Sequence, residues 1–302
     1  MKVLRIFDIS AFVHAGKINK RSYLLPELRD EADAFKEYKI YTGGASLLWN
    51  TLYTEFGKDD LVFCGDRRPT IKQGMLTEYK ANREFNTEIQ KQKDACEYIL
   101  RNCGFTVLCE DGYEGDDFIH SLVQEHKRSY DHIYIYCNDS DLYYLVDENV
   151  TILPSSSRAK RVDIQNYTYT ARGKDTYTPY NALTFYKILW GDTTDNIPSM
   201  NHELAARIRK AYDNETYYSY MGKKEVMLDM FNMFGKEAYD QCALVFPLDV
   251  RVPSTFEPGD KLRVAEWGSA IRNKLWRTNE APPQYIKECI EEMTDLGLAT
   301  DE

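Results

Sequence analysis

The sequence predicts an α/β protein, a central, mostly parallel sheet flanked by helices, with a helical C-terminal region. Three observations predict it. Short apolar runs of strand character recur at Val3 to Phe7, Leu61 to Cys64, Phe105 to Cys109, Tyr134 to Cys137 and Val150 to Leu153. Apolar residues at helical spacing separate the later runs, the alternation expected of parallel strands with helical crossovers. Four runs lead into acidic residues, at Asp8, at Asp66, at Glu114 with Asp116 and Asp117, and at Asp139 with Asp141. Sites in such sheets form beyond the carboxyl ends of strands, so these acids converge by topology although far apart in sequence.

Taken in order, Val3 to Phe7 reads as a buried strand ending at Asp8. Residues 14–42 are polar, with no regular period, and carry Lys17, Lys20, Arg21 and Arg29. Gly43 and Gly44 open a helix whose stripe is Leu47, Leu48, Leu52 and Phe56, and Gly57 stops it. The strand ending at Asp66 is followed by Arg67, Arg68 and Lys72, then by Tyr79-Lys80-Ala81-Asn82-Arg83. Thr87 to Cys103 has helical character, closed by Gly104. Phe118, Ile119, Leu122 and Val123 mark a helix that starts on the acids at 114–117. Residues 158–161 and 172–174 are basic and read as solvated loops. Ala182 to Leu189 predicts a helix leading to Gly191-Asp192-Thr193-Thr194-Asp195-Asn196-Ile197-Pro198, and His202 to Tyr212 predicts another. A last helix is expected after Pro283, with Tyr285, Ile286, Ile290 and Met293 on its apolar side. The expected division is a core over residues 1–198, including an exposed segment at 67–104, and a helical region over 199–302.

The 302 residues are 43% hydrophobic and 28% charged, ordinary for a chain with a substantial core. No apolar run is long enough for a membrane span, and the first residues lack the pattern of a signal peptide. Seven cysteines, an odd number without paired spacing, suit reduced thiols and a cytoplasmic setting. Zinc spacings are absent, and the five histidines form no i,i+4 pair. The net charge of −10 argues at first against a nucleic-acid partner. With nine candidate ligand acids set aside the remainder is about −1, so local distribution decides.

Carboxylates gathered at close range stay ionised together only if cations sit between them. Oxygen-only ligands suit magnesium or manganese. Each block has an ordinary reading when taken alone. Asp116 and Asp117 suit a first helical turn, and Asp139-Ser140-Asp141 suits an Asx turn. Those readings explain the acids in pairs and leave their convergence unexplained.

In order and spacing, these blocks resemble the flap endonuclease / 5′-3′ exonuclease family of PIN-like nucleases, which includes phage 5′-nucleases and the 5′-nuclease domain of DNA polymerase I. The likeness runs from Asp8 to Pro198. It implies a magnesium-dependent two-metal phosphodiesterase, with manganese as a substitute, that cuts at or near 5′ ends and leaves 5′-phosphate and 3′-hydroxyl products. By the resemblance, Asp8, Asp66, Glu114, Asp116 and Asp117 hold one metal region, and Asp139, Asp141, Asp192 and Asp195 hold or orient the second. Asp8, Asp66 and Asp116 would carry catalysis with Lys80 and Arg83, which contact the scissile phosphodiester. Tyr79 would stack on a nucleobase, and Thr87 to Cys103 would form part of an arch for single strands. The partners implied are DNA with single-stranded 5′ ends or flaps, RNA–DNA hybrid and replication proteins, acting on a monomer.

One departure stands out. The family's Asp-Asn-Ile-Pro block is normally followed by a glycine-rich hairpin that binds duplex phosphates, often with potassium. Here no glycine occurs between Gly191 and Gly222. Arg207, Arg209 and Lys210 would supply that contact with side chains, and a weak grip on duplex is expected. Two other readings remain. One is an RNA-directed nuclease of the same superfamily; the other is a non-catalytic module for branched nucleic acid. A P-loop nucleotidase is excluded by the absence of its Gly-rich Lys-Ser/Thr loop. An aspartyl-nucleophile phosphatase is disfavoured because Ser10 stands where a second acid is wanted.

Overall fold

In chain order the elements begin with β1 (Val3–Asp8), α1 (Ile9–Ala15), β2 (Lys20–Pro26), β3 (Phe35–Tyr41), α2 (Gly43–Glu55) and β4 (Asp60–Cys64). Next come α3 (Thr70–Met75), α4 (Thr87–Asn102), β5 (Val107–Leu108), α5 (Gly115–His126) and β6 (His132–Tyr136). A 3-10 turn (Ser140–Leu145), β7 (Val150–Leu153), β8 (Tyr169–Ala171), β9 (Asp175–Tyr177), α6 (Ala182–Trp190) and α7 (His202–Ala211) follow. The last are α8 (Lys223–Asp229), a π turn (Met230–Phe234), α9 (Lys236–Val245), α10 (Lys261–Asn273), α11 (Gln284–Asp295) and β10 (Ala299–Asp301). The computed structural model describes residues 1–15, 20–26, 35–41, 43–57, 59–155, 161–163, 169–171, 175–177, 182–211, 223–273 and 284–301. Lys17, Arg29, Arg158, Lys160, residues 172–174 and Tyr212 lie outside them.

Five strands form one parallel sheet in the order β5-β4-β1-β6-β7. β1 is central, with Asp8 opposite Cys64 of β4 and Phe7 opposite Tyr136 of β6. The three strands therefore end side by side, and the residues just beyond them share one sheet edge. Alternation along the strands sends neighbouring side chains to opposite faces. Phe7, Phe63 and Tyr136 lie on one face as a row of rings, 4.9 Å and 4.5 Å between centroids. Leu4, Ile6, Val62, Ile133 and Ile135 lie on the other with Phe118, Ile119, Leu122 and Val123 of α5.

The face carrying Phe7 is covered by α2, α4, α10 and α11 through Trp49, Ile99, Trp267, Ile290 and Met293. The later part of α4 packs into the core, where Ala95, Cys96, Ile99 and Leu100 make one apolar stripe. In this segment the run that stands in solvent is 81–88.

Two further findings concern organisation. Residues 14–42, irregular in the sequence reading, hold an antiparallel hairpin, β2–β3, and β10 pairs with β3. The other concerns the expected boundary at 198. Ile188 and Leu189 pack with Met200, Ile208, Met230, Cys242 and Phe246 in one apolar cluster that spans that boundary. α10 and α11 return to the sheet core through Val264, Trp267, Ile286, Ile290 and Met293, with Ala299 of β10 beside them.

Candidate metal centre and nucleic-acid site

Beyond the ends of β4, β1 and β6 lies a cavity of about 340 Å³ lined by Asp8, Asp66, Glu114, Asp116 and Asp139 together with Lys80 and Arg83. Five of the nine candidate acids thus meet in one space. Asp8 sits at the end of the central strand and is nearly sealed from solvent. Burial, then the neighbouring Asp66, push its carboxyl up to about 7. Burial likewise drives Asp116 well above the usual carboxylate range, reinforced by Asp139 and Asp8. Asp66 behaves in the opposite way. Burial opposes its charge, but Lys93 Nζ at 2.9 Å, Ser10 Oγ at 2.5 Å and the Gly115 amide at 2.7 Å donate to it and hold it below that range.

A second group joins the 3-10 turn after β6 to the loop after α6. Asp141, Asp192 and Asp195 each offer an oxygen within 4.8 Å of the others. Lys187 from α6 inserts its ammonium between Asp141 and Asp192, 2.5 Å from the latter. Burial and Asp139 push Asp141 up to about 6 in spite of that lysine. The loop is closed by reciprocal backbone bonds between Asp192 and Ile197 at 2.9 and 2.8 Å. It turns at Gly191, φ +73°, where a Cβ would stand 2.4 Å from the Ile197 carbonyl. Glycine is required there.

The two groups are joined by the turn that carries Lys80. Lys80 Nζ lies 2.5 Å from Glu114 and 3.4 Å from Asp195, and Arg83 donates to Asp195. Burial works against the Lys80 ammonium, yet Glu114 and Asp195 outweigh it and hold the amine above its ordinary value. Lys80 has φ 54° and Asn196 φ 57°, left-handed conformations that cost a non-glycine residue about 1–3 kcal/mol. Three contacts sustain them. The Lys80 amide donates to the Asp195 carbonyl at 2.8 Å, Asn82 Nδ2 to the Thr193 carbonyl at 3.1 Å, and Asn196 Nδ2 to the Glu78 carbonyl at 2.8 Å.

For two residues the geometry points to a role other than the one expected. Tyr79 is 1% exposed, and its hydroxyl donates to Glu114 at 2.8 Å, with Asp195 at 3.3 Å. Its ring is packed inside, with no face for a nucleobase; it positions the two acids. Asp117 turns away from the cavity. One of its oxygens accepts from the Glu114 amide at 2.8 Å in a capping box, and the other from the Leu248 amide at 2.6 Å. Both oxygens serve backbone donors, so Asp117 is the cap that aims Glu114 and Asp116. Asp117→Ala is expected to lower stability by about 1–3 kcal/mol, the cost of buried amides left without an acceptor, read as a lower urea midpoint.

Arg207, Arg209 and Lys210 are solvent-exposed on α7 and are not among the cavity residues. Conversely, Lys93 and Lys187 were not singled out from the sequence, and Ser10 and Lys72 were given no part in the site there. Lys72 is buried 3.9 Å from Glu114. Lys187 had a legible signal, a lone cation in the apolar run Leu183 to Trp190.

The cavity's chemistry fits divalent cations. The carboxyls of Asp8 and Asp116 are driven toward holding protons, the condition of anionic groups without enough positive charge between them. All the donors are hard oxygens, the set preferred by magnesium and manganese.

The family described as 5′-3′ exonuclease, N-terminal resolvase-like domain, matches residues 17–172. A 5′-3′ exonuclease of Mycoplasma pneumoniae is 28% identical over 155 residues, which are 50% of this chain and 52% of that protein. DNA polymerase I of Caldicellulosiruptor bescii is 30% identical over 231 residues, 71% of this chain and 26% of the polymerase. The chain thus covers about half of the first relative's length and about a quarter of the second's. Among solved structures, the flap endonuclease of bacteriophage T5, in a pseudo-enzyme-product complex with DNA and metal ions, superposes with a TM-score of 0.51 at 16% identity. The superposition covers 96% of this chain and 98% of that one. The T5 5′-exonuclease with divalent zinc ions bound gives a TM-score of 0.50 at 15% identity, covering 97% and 99%. Both likenesses speak for the fold alone. With the family matched over more than half of its 302 residues, the chain belongs to the 5′-3′ exonuclease family.

Proposed function

We propose that this protein is a divalent-metal-dependent 5′-nuclease that hydrolyses phosphodiester bonds at or near the 5′ ends of DNA, leaving 5′-phosphate and 3′-hydroxyl products. The observation that carries this reading is the gathering of Asp8, Asp66, Glu114, Asp116 and Asp139 around one cavity beside Lys80 and Arg83. These five acids would hold one cation region, and Asp141, Asp192 and Asp195 would hold or orient a second. When bound, magnesium or manganese would neutralise phosphoryl oxygens and acidify the attacking water. Lys80, fixed between the two acid groups, would meet the charge that builds on the phosphate in the transition state. Arg83, with about half its side chain in solvent, would contact the same phosphodiester from the rim. Asp66, kept anionic by Lys93 and Ser10, stays ready as a ligand at any working pH.

Digestion of 5′-labelled single-stranded, flap and RNA–DNA hybrid substrates tests the reading. Cutting in magnesium or manganese and none in chelator is expected; cutting unaffected by chelator would overturn it. Faster cleavage of the hybrid than of the DNA flap would favour the RNA-directed form.

Cation binding carries its own prediction. In the metal-free protein Asp8 and Asp141, raised to about 7 and about 6, bind more protons folded than unfolded. The stability these two groups contribute therefore falls as pH rises from about 4 to about 7, while burial of His14, His120 and His132, which lowers their pKa, works in the opposite sense in the upper part of that range. Asp66 and Asp192, held low, act in the opposite sense, and only as pH falls below about 4. A divalent ion that replaces those protons should raise the thermal midpoint more at pH 8 than at pH 5. At a hundred times its dissociation constant the gain is about 2.7 kcal/mol. Scanning fluorimetry with and without magnesium at the two pH values measures it; equal shifts would count against Asp8 and Asp141 as ligands.

A further inference from the structure

We propose that His120 is a positioning residue of the nuclease site, its imidazole setting the spacing between the helix that bears Asp116 and the turn that bears Asp139 and Asp141. This role rests on the nuclease reading and belongs to a group that does not line the cavity. His120 is 1% exposed on α5. A buried histidine with both nitrogens engaged is ordinarily a satisfied core group, so burial alone carries nothing. The pair of elements that it joins carries more.

Place comes first. His120 lies four residues after Asp116, one turn further along the same side of α5. Its Nδ1 is 2.7 Å from the Tyr144 hydroxyl. Tyr144 lies three residues after Asp141 in the 3-10 turn, where residues at that spacing eclipse. Asp139 caps the same turn, its carboxylate accepting from the Asp141 amide at 2.9 Å. The imidazole thus ties the backbone under Asp116 to the backbone under Asp141. Ile119, Leu122, Leu142 and Leu145 share one apolar cluster there. Apolar contact is non-directional, so the hydrogen bond fixes the register.

Direction comes second. His120 Nε2 is 3.1 Å from Asp249 Oδ1. That bond, with the Lys223 ammonium 2.9 Å away, holds the Asp249 carboxyl below the usual carboxylate range. A carboxylate only accepts, so Nε2 bears the hydrogen and Nδ1 is left to accept from Tyr144. Burial holds the imidazole below its ordinary pKa, which favours this neutral form.

Support comes third. The neighbours of Asp249 are bonded to α5 as well, the Leu248 amide to Asp117 at 2.6 Å and the Val250 amide to Ser121 Oγ at 2.9 Å. Lys223 also donates to the Pro247 carbonyl at 2.5 Å. At the other end the Tyr144 ring meets Phe246 edge-on, 5.4 Å between centroids. Both partners of the imidazole are therefore held from behind.

The full chain is compared with Tyr144→Phe, His120→Gln and His120→Asn. Tyr144→Phe keeps the ring and deletes the bond to Nδ1. Asn places a carbonyl oxygen near the position of Nδ1 and still accepts from Tyr144, whereas Gln places its amide near Nε2 and serves Asp249 instead. The probes are Mn2+ alone, titrated by electron paramagnetic resonance, and a 5′-labelled single strand cut in magnesium. Misplaced support around a cation site costs roughly 10- to 100-fold in affinity or activity. Tyr144→Phe and His120→Gln are expected to lose that much in Mn2+ affinity and in kcat, with KM for the strand little changed, and His120→Asn to recover most of it. A histidine that only fills the core would lower the thermal midpoint in His120→Gln and His120→Asn alike and leave Mn2+ affinity and kcat of Tyr144→Phe at the wild-type values. That result overturns the assignment of His120, and the nuclease reading stands. If wild type neither binds Mn2+ nor cuts the strand, both fail together.

Discussion

Replacing Asp116 by Asn is expected to abolish most cleavage while leaving the fold intact. Asn keeps the shape of the side chain and removes a charge that the cavity opposes, since burial, Asp139 and Asp8 all disfavour it. Thermal stability of the metal-free variant should therefore equal or exceed that of wild type. Its loss lies elsewhere. A divalent ion contributes several kcal/mol at a reacting phosphoryl group, and each 1.36 kcal/mol is a factor of ten in rate. A drop of roughly 10²–10⁴ in the single-turnover rate on a 5′-labelled strand is expected. Activity within tenfold of wild type would remove Asp116 from the cation set. The neighbouring Asp117→Ala should show the reverse pattern, with its main cost in stability, because its carboxylate caps backbone amides.

The second large effect is expected at Lys80. Truncation to alanine removes the cation between Glu114 and Asp195 and any contact it makes to phosphate. A loss of about 2.7–4 kcal/mol of transition-state stabilisation, or roughly 10²–10³ in rate, is expected if it acts like an oxyanion-hole donor. Lys80→Arg should rescue poorly, since a planar guanidinium does not replace a point charge in a site shaped around it. The residue's φ of 54° gives a control. Lys80→Gly relieves the left-handed strain and should be about 1 kcal/mol more stable than Lys80→Ala, with no recovery of cleavage. Equal rates for wild type and both variants would leave Lys80 as a structural bridge alone.

Much of the architecture was legible because short apolar runs and one helical period are written plainly in the chain. The apolar runs Val3 to Phe7 and Leu61 to Cys64 gave the central strands, and the stripe Phe118, Ile119, Leu122, Val123 gave the helix beneath them. Convergence of Asp8, Asp66 and Glu114 followed from parallel topology. What the sequence concealed depends on three-dimensional neighbours. Asp116 and Asp117 are identical in type and adjacent, yet helical geometry turns one to the cavity and the other to the Leu248 amide. The β2–β3 hairpin has mixed composition, and part of its partnership comes from β10, so no local pattern announces it. Tyr79 was expected to stack on a nucleobase by the family resemblance alone; its burial is set by Ile197 and Leu244, remote in sequence.

The pairing of β10 with β3 bears on biogenesis. Strands 20–26 and 35–41 emerge early from the ribosome, but their third member is translated about 260 residues after β3. At about 5–20 residues per second the hairpin waits roughly 10–50 s with one edge unprotected. Chaperone capture of nascent chains should concentrate in that interval, and an Ala299–Asp301 deletion would extend it indefinitely.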